Sequence, residues 1–127
     1  MKNYIELAVR TEGDIFNIQE GDTRLLHAGI GLATESGEFL DALKKHLFYG
    51  GELDKVNLKE ELGDLLWYIA LACDELGTDF STLKATNIKK LQARYPSKFS
   101  YASASYRDLD AERKILEDAW CFIIIFS

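Results

Sequence analysis

Apolar residues recur at intervals of three and four along most of the chain, and this spacing predicts α-helices. Four helices are expected at about residues 4–10, 23–48, 57–76 and 81–95, the last of them stopped by the single proline, Pro96. The pattern of residues 106–120 predicts a further helical segment. Asp22 and Asn57 are the predicted N-caps of the two long helices, and Gly50 and Gly77 lie where they should end.

Each long helix carries an apolar stripe on one face, which is typical of a helix packed against a core. The first stripe consists of Leu25, Leu32, Phe39, Leu40, Leu43 and Leu47. The second consists of Leu58, Leu62, Leu65, Ile69, Cys73 and Leu76. Short connections between long helices favour antiparallel neighbours. The predicted fold is therefore all-α, an antiparallel helical bundle of about four to five helices.

Two pairs of carboxylates follow one spacing, Glu35 with Glu38 and Glu61 with Asp64. Residues three apart share a helix face, so each pair presents two carboxylates one turn apart. Both pairs are rotated from their apolar stripe in the same sense, so antiparallel packing places both in the shared groove or both outside it. Four converging carboxylates would repel unless a cation joined them, and an all-oxygen ligand set suits Mg²⁺ or Mn²⁺. The alternative is that they are solvated charges on the helix faces.

Gly37 and Gly63 lie between the acidic residues of the two pairs. Glycine inside a helix costs about 1 kcal/mol relative to alanine. A compensating need is expected, such as the close approach of another backbone at these positions.

The fourth predicted helix carries polar and basic residues on one face. Asn87, Lys90 and Arg94 follow i, i+3, i+7 spacing, so the three side chains project in similar directions. Such a row could bind a phosphate chain. Taken alone, a lysine and an arginine one turn apart are more often part of a solvated surface.

Composition narrows the functional classes. The chain has 127 residues, 47% of them hydrophobic, which fits a single domain with a core at about residues 22–99 and an extension at 100–127. A net charge of -6 argues against general binding of nucleic acid polymers or anionic membranes. Two distant cysteines suggest neither a disulfide framework nor a zinc site, so a cytoplasmic setting is expected. The apolar tail, residues 121–127, is expected to pack on its own domain or on a partner subunit.

From about residue 25 to 99 the sequence resembles the MazG-like, all-α nucleoside triphosphate pyrophosphohydrolases. The family pattern is ExxE on one helix, a spacer, and ExxD on the next. Its matches here are LLHAGIGLATESGEFLDALKK with Glu35 and Glu38, EELGDLLWYIA with Glu61 and Asp64, and then NIKKLQARYP. Thr34 stands where family members often have a further glutamate.

The resemblance implies Mg²⁺-dependent hydrolysis of a (deoxy)nucleoside triphosphate to the monophosphate and pyrophosphate, with Mn²⁺ as a substitute, in the housecleaning of nucleotide pools. Glu35, Glu38, Glu61 and Asp64 would hold the metal and act in catalysis, while Asn87, Lys90 and Arg94 would bind the substrate. The family also forms homodimers or homotetramers with active sites near subunit interfaces. The alternative is a non-catalytic helical module that mediates interactions or binds nucleotides without hydrolysing them.

Overall fold

The computed structural model describes residues 3–13 and 17–125, with side chains as far as residue 118. The described chain contains these helices: α1 (Tyr4–Val9), α2 (Asp22–Tyr49), α3 (Lys55–Glu75), α4 (Phe80–Arg94), α5 (Tyr101–Ser105) and α6 (Leu109–Ile125). No strand occurs in these ranges. The all-α prediction is confirmed, with two differences in detail: α5 was not predicted, and α6 is longer than its predicted segment.

A glycine lies at the predicted position at or just after the C-terminal end of each long helix. Gly50 is the C-cap of α2 and has a φ of 71°, in the left-handed region that glycine adopts without steric cost. In α3 the C-cap is Leu76, and Gly77 follows it with a φ of 63°. Both helices therefore stop where the chain reaches a residue that tolerates this conformation.

The predicted N-caps are wrong. In α3 the cap is Asp54, whose Oδ1 accepts hydrogen bonds from the backbone N–H groups of Val56 and Asn57 at 3.1 and 3.0 Å. The helix therefore begins before Asn57. In α2 the cap is Gly21 without a side-chain bond, and the carboxylate of Asp22 instead accepts from the backbone N–H of Gln19 at 2.6 Å.

Helices α2 and α3 form an antiparallel pair. At one end, Arg24 of α2 donates to Asp74 at 2.6 Å and to Glu75 at 3.2 Å, both near the end of α3. Two turns further along α2, Gly31 faces Tyr68 of α3. Residue numbers that rise on one helix therefore meet numbers that fall on the other, and this register brings the two acidic segments opposite each other.

The close approach expected at Gly37 and Gly63 occurs elsewhere. A Cβ atom at either glycine would meet nothing within 4 Å. At Gly31, a Cβ atom would lie 2.1 Å from Cε1 of Tyr68. Gly31 is thus the glycine that makes room for the neighbouring helix, through a side chain and not through a backbone.

The predicted apolar stripes are only partly covered within one chain. Ala28 and Cys73 are buried at 1% and 5% exposure, in the α2–α3 contact. Leu40 and Leu47 of the α2 stripe are 63% and 66% exposed, and Leu62 of α3 is half exposed. A second apolar surface therefore remains open on this helix pair.

Helix α6 packs against α4 through a buried ion cluster. Arg94 donates from Nε and Nη2 to the two oxygens of Glu112 at 2.8 and 2.5 Å, and Arg107 donates to the same oxygens at 3.3 and 2.6 Å. Glu112 is only 5% exposed. Hydrogen bonds from Arg94 and Arg107 lower the pKa of this carboxyl to about 2, so it stays ionised. The cluster fastens the extension to the preceding part of the chain.

Helix α6 extends into the apolar tail. The backbone of α6 is helical to Ile125, but side chains from residue 119 onward lie outside the described residues. The packing predicted for residues 121–127 therefore stays a prediction. Within the described ranges, no helix combines the length and apolarity needed to cross a membrane.

Candidate metal centre

Three carboxylates converge in the groove between α2 and α3. Glu35, Glu38 and Glu61 each offer an oxygen, and these oxygens all lie within 4.8 Å of one another. Glu35 and Glu38 are one turn apart on α2, and the antiparallel register brings Glu61 of α3 close to both. Of the two placements that the sequence left open, the structure shows the inward one for these three residues.

Glu61 is the buried member of the cluster, with 3% of its surface exposed. Its Oε1 accepts a hydrogen bond from the side-chain amide of Asn57 at 2.6 Å, one turn earlier on α3. A neutral amide orients the carboxylate but leaves its charge uncompensated. A buried carboxylate in this state is unfavourable unless a cation joins it.

Glu35 is half-buried and responds to the surrounding charges. Burial raises its pKa above the ordinary value of 4.5, and the negative charges of Glu38, Asp64 and Glu61 raise it further. Asp64 is exposed and lies outside the cluster of three, yet it is close enough to act on Glu35. The four carboxylates therefore form one group with a surplus of negative charge.

No lysine, arginine or histidine of the described residues forms an ion pair with these four carboxylates. Asp41, one turn further along α2, shows the contrast, because Lys44 and Lys45 pair with it and lower its pKa to about 2. The carboxylates of the groove lack such a partner. An all-oxygen donor set with a buried, uncompensated member fits a hard divalent cation such as Mg²⁺ or Mn²⁺.

The three residues of the polar row on α4, Asn87, Lys90 and Arg94, do not share one environment. Asn87 and Lys90 line a cleft between α4 and α6, which has a volume of about 530 Å³. Arg94 instead forms the buried pair with Glu112. None of the four carboxylates lines that cleft. Within the described part of one chain, the structure brings the acidic residues together but does not bring the basic row to them.

Sequence reasoning missed three contributors to these surroundings. Asn57 orients Glu61, and its spacing of four residues from Glu61 on one helix was an available signal. Glu112 accepts hydrogen bonds from Arg94 across eighteen residues of sequence, and no local pattern indicates such a contact. Arg107, five residues before Glu112, donates to the same carboxylate.

Comparison with known proteins agrees with the helical groove. A model described as the MazG nucleotide pyrophosphohydrolase domain matches residues 26–99, which include all but the first turn of α2 and the whole of α3 and α4. A protein of Mycobacterium phage L5 named "Gene 37 protein" is 33% identical over 98 residues, covering 64% of this chain and 86% of the phage protein. Among solved structures, none gives a significant match.

Proposed function

Since the chain belongs to the MazG nucleotide pyrophosphohydrolase domain family, we propose that it hydrolyses a (deoxy)nucleoside triphosphate to the monophosphate and pyrophosphate in a reaction that depends on Mg²⁺. The observation that carries the proposal is the convergence of Glu35, Glu38 and Glu61 within 4.8 Å. All three lie inside the matched residues, and Glu61 is buried without a cationic partner among the described residues. A proposed role for such an enzyme is the removal of surplus or modified nucleotides.

In this proposal the residues that hold Mg²⁺, or Mn²⁺ in its place, are Glu35, Glu38, Glu61 and Asp64. A divalent cation bound there would supply charge neutralisation for phosphate oxygens and lower the pKa of a coordinated water. Glu61 would be the fixed ligand, because burial and the hydrogen bond from Asn57 restrict its rotation. Glu38 and Asp64 are exposed and would adjust to the substrate.

Asn87, Lys90 and Arg94 are the proposed contacts of the substrate phosphates. Lys90 forms no ion pair with the described residues, so its charge is available. Arg94 would have to exchange its bond to Glu112 for a phosphate, and it is therefore the most indirect of the three.

We further propose that the active unit is a homodimer or homotetramer. Two features support assembly: the basic row and the acidic groove do not line a common cleft in one chain, and α2 leaves Leu40 and Leu47 largely exposed. Exposed apolar surface of this kind is typical of an interface between subunits. A second copy could both cover that surface and supply the missing cations.

The decisive experiment is a screen of standard and modified triphosphates for pyrophosphate release in the presence of Mg²⁺ or Mn²⁺. We expect turnover of at least one triphosphate, and we expect Glu38→Ala and Asp64→Ala to abolish it while the helical circular dichroism persists. Glu60→Ala is the matched control, because Glu60 is an exposed acid on the same helix outside the cluster.

The outcomes separate the alternatives. No product from folded protein across the whole screen would favour a non-catalytic module, and nucleotide binding would then be measured by calorimetry. Full activity in both Glu38→Ala and Asp64→Ala would show that the carboxylates are wrongly assigned.

A further inference from the structure

The cleft between α4 and α6 concentrates positive charge. Its lining includes Lys84 and Lys90 of α4 and Arg113 of α6, and no carboxylate belongs to it. In a chain with a net charge of -6, a cleft with three cations and no acid differs from the average surface. Such a concentration attracts anions, since low-dielectric walls focus the field of the charges.

The cations of the cleft are largely available. Lys84 and Lys90 form no ion pair with the described residues. Arg113 uses Nε to reach Glu117 on the same helix at 2.6 Å, in an exposed pair of the kind that contributes little stability. Its terminal amino groups make no hydrogen bond to the described residues, so they can still donate to an oxyanion.

The remaining walls fit a small ligand with polar and apolar parts. Thr86 and Asn87 supply polar groups from α4. Leu83 and Leu116 supply apolar surface from the two helices. A volume of about 530 Å³ lies within the usual range for sites that bind small molecules.

We propose that α6 completes, together with α4, a binding site for a phosphate-bearing small molecule, with Lys84, Lys90 and Arg113 as its anion-binding groups. Helix α6 lies beyond the family match, which ends at residue 99, so the extension of this chain provides one wall of the site. The inference rests on the proposed function only for the choice of phosphate as the anion. The four carboxylates of the metal groove share no residue with this cleft, whereas Asn87 and Lys90 of the proposed substrate contacts line it.

The test uses the full chain and inorganic pyrophosphate as the probe, measured by isothermal titration calorimetry at low ionic strength with EDTA present. The expected result is binding by the unmodified protein and a loss of affinity of about tenfold in Arg113→Gln and in Lys84→Gln, because each removes a charge-assisted hydrogen bond. Lys89→Gln is the matched control, since Lys89 is exposed on α4, carries the same charge and does not line the cleft. This variant should bind pyrophosphate as the unmodified protein does.

Three results would overturn the proposal: no binding at millimolar pyrophosphate, an equal loss in Lys89→Gln, or unchanged affinity in Arg113→Gln with retained circular dichroism. The second would mean that net charge and not the cleft attracts the anion. Because EDTA removes divalent ions, this measurement is independent of hydrolysis. Triphosphate turnover without metal-free binding of pyrophosphate would refute only the proposed binding site in the cleft. Binding of pyrophosphate without any turnover would refute only the proposed enzyme activity.

Discussion

Gly31 sets the distance between α2 and α3, and replacing it by alanine tests whether that distance matters. The added Cβ would lie 2.1 Å from Cε1 of Tyr68 and 2.3 Å from two further ring atoms. Unstrained carbon contacts need about 3.5 Å. The Tyr68 ring also contacts two other aromatic side chains, with its centroid 4.9 Å from that of Trp67 and 5.7 Å from that of His27. Relief of the overlap therefore requires the helices to separate or the aromatic cluster to rearrange.

The expected magnitude follows from two opposing effects. Alanine is favoured over glycine in a helix by about 1 kcal/mol. Overpacking at a tight contact costs about 1–3 kcal/mol. Gly29→Ala gives the same helix gain without the overlap, because nothing lies within 4 Å of a Cβ at Gly29. The free energy of unfolding of Gly31→Ala should thus fall about 1–3 kcal/mol below that of Gly29→Ala, which corresponds to a difference in Tm of about 4 °C per kcal/mol.

The assay is urea unfolding followed by circular dichroism, with both alanine variants measured alone and in a Tyr68→Ala background. Without the ring, Gly31→Ala should become as favourable as Gly29→Ala, which a double-mutant cycle would detect. Equal stability of the two single variants would refute the reasoning. Gly31 lies one turn from Glu35, so Gly31→Ala should also weaken Mn²⁺ binding, whereas Gly29→Ala should not.

Three other predictions concern individual carboxylates. Glu61→Gln should keep or raise the stability of the metal-free protein and lose the increase in Tm that Mg²⁺ gives the unmodified chain, as read by thermal unfolding with and without the ion. The pKa of Glu35 is higher in the folded protein, so metal-free stability should decline as pH rises from about 4.5 through the folded value; a Glu35→Gln variant with the same pH profile would contradict this. The pKa of Glu112 is about 2, so its contribution is present above 4.5 and is lost as pH falls toward 2. Glu112→Gln should expose α6 to faster hydrogen exchange even at neutral pH, because Arg94 loses its ionised partner, and unchanged exchange would argue against the cluster.

Local periodicity was enough to predict the long helices because each carries an apolar stripe along its length, even where part of that stripe stays exposed. The helix ends that depend on backbone conformation were also predictable, since Gly50 and Gly77 are the residues that tolerate positive φ. The starts were not, because several residues near each start can cap. Asp54 accepts hydrogen bonds from two backbone N–H groups, so α3 begins before Asn57. The side chain of Asn57 instead donates a hydrogen bond to Glu61.

The clustering of the acidic residues was predictable from the sequence, whereas the surroundings of the basic row were not. Spacing alone places Glu35 and Glu38 on one helix face. With antiparallel packing, the sequence leaves open only whether the carboxylate pairs lie inside or outside the groove between the two helices. The surroundings of Lys90 and Arg94 depend on α6, which comes after a break in the chain and carries no signal of its position. Helical spacing gave Lys90 and Arg94 a common face, but distant contacts decide what each side chain meets.

The distribution of charge gives the two helix pairs different dependence on ligands. In the α4–α6 pair the buried Glu112 has two arginines, so its charge is compensated within the chain. In the α2–α3 pair the buried Glu61 has only an amide, and Glu35 and Glu38 add like charge beside it. The packing of Gly31 against Tyr68 is expected to oppose the repulsion in this groove, because no ion pair among the described residues offsets it. Metal binding should therefore stabilise α2–α3 selectively. Addition of Mg²⁺ should slow hydrogen exchange in α2–α3 and leave exchange in α4–α6 unchanged.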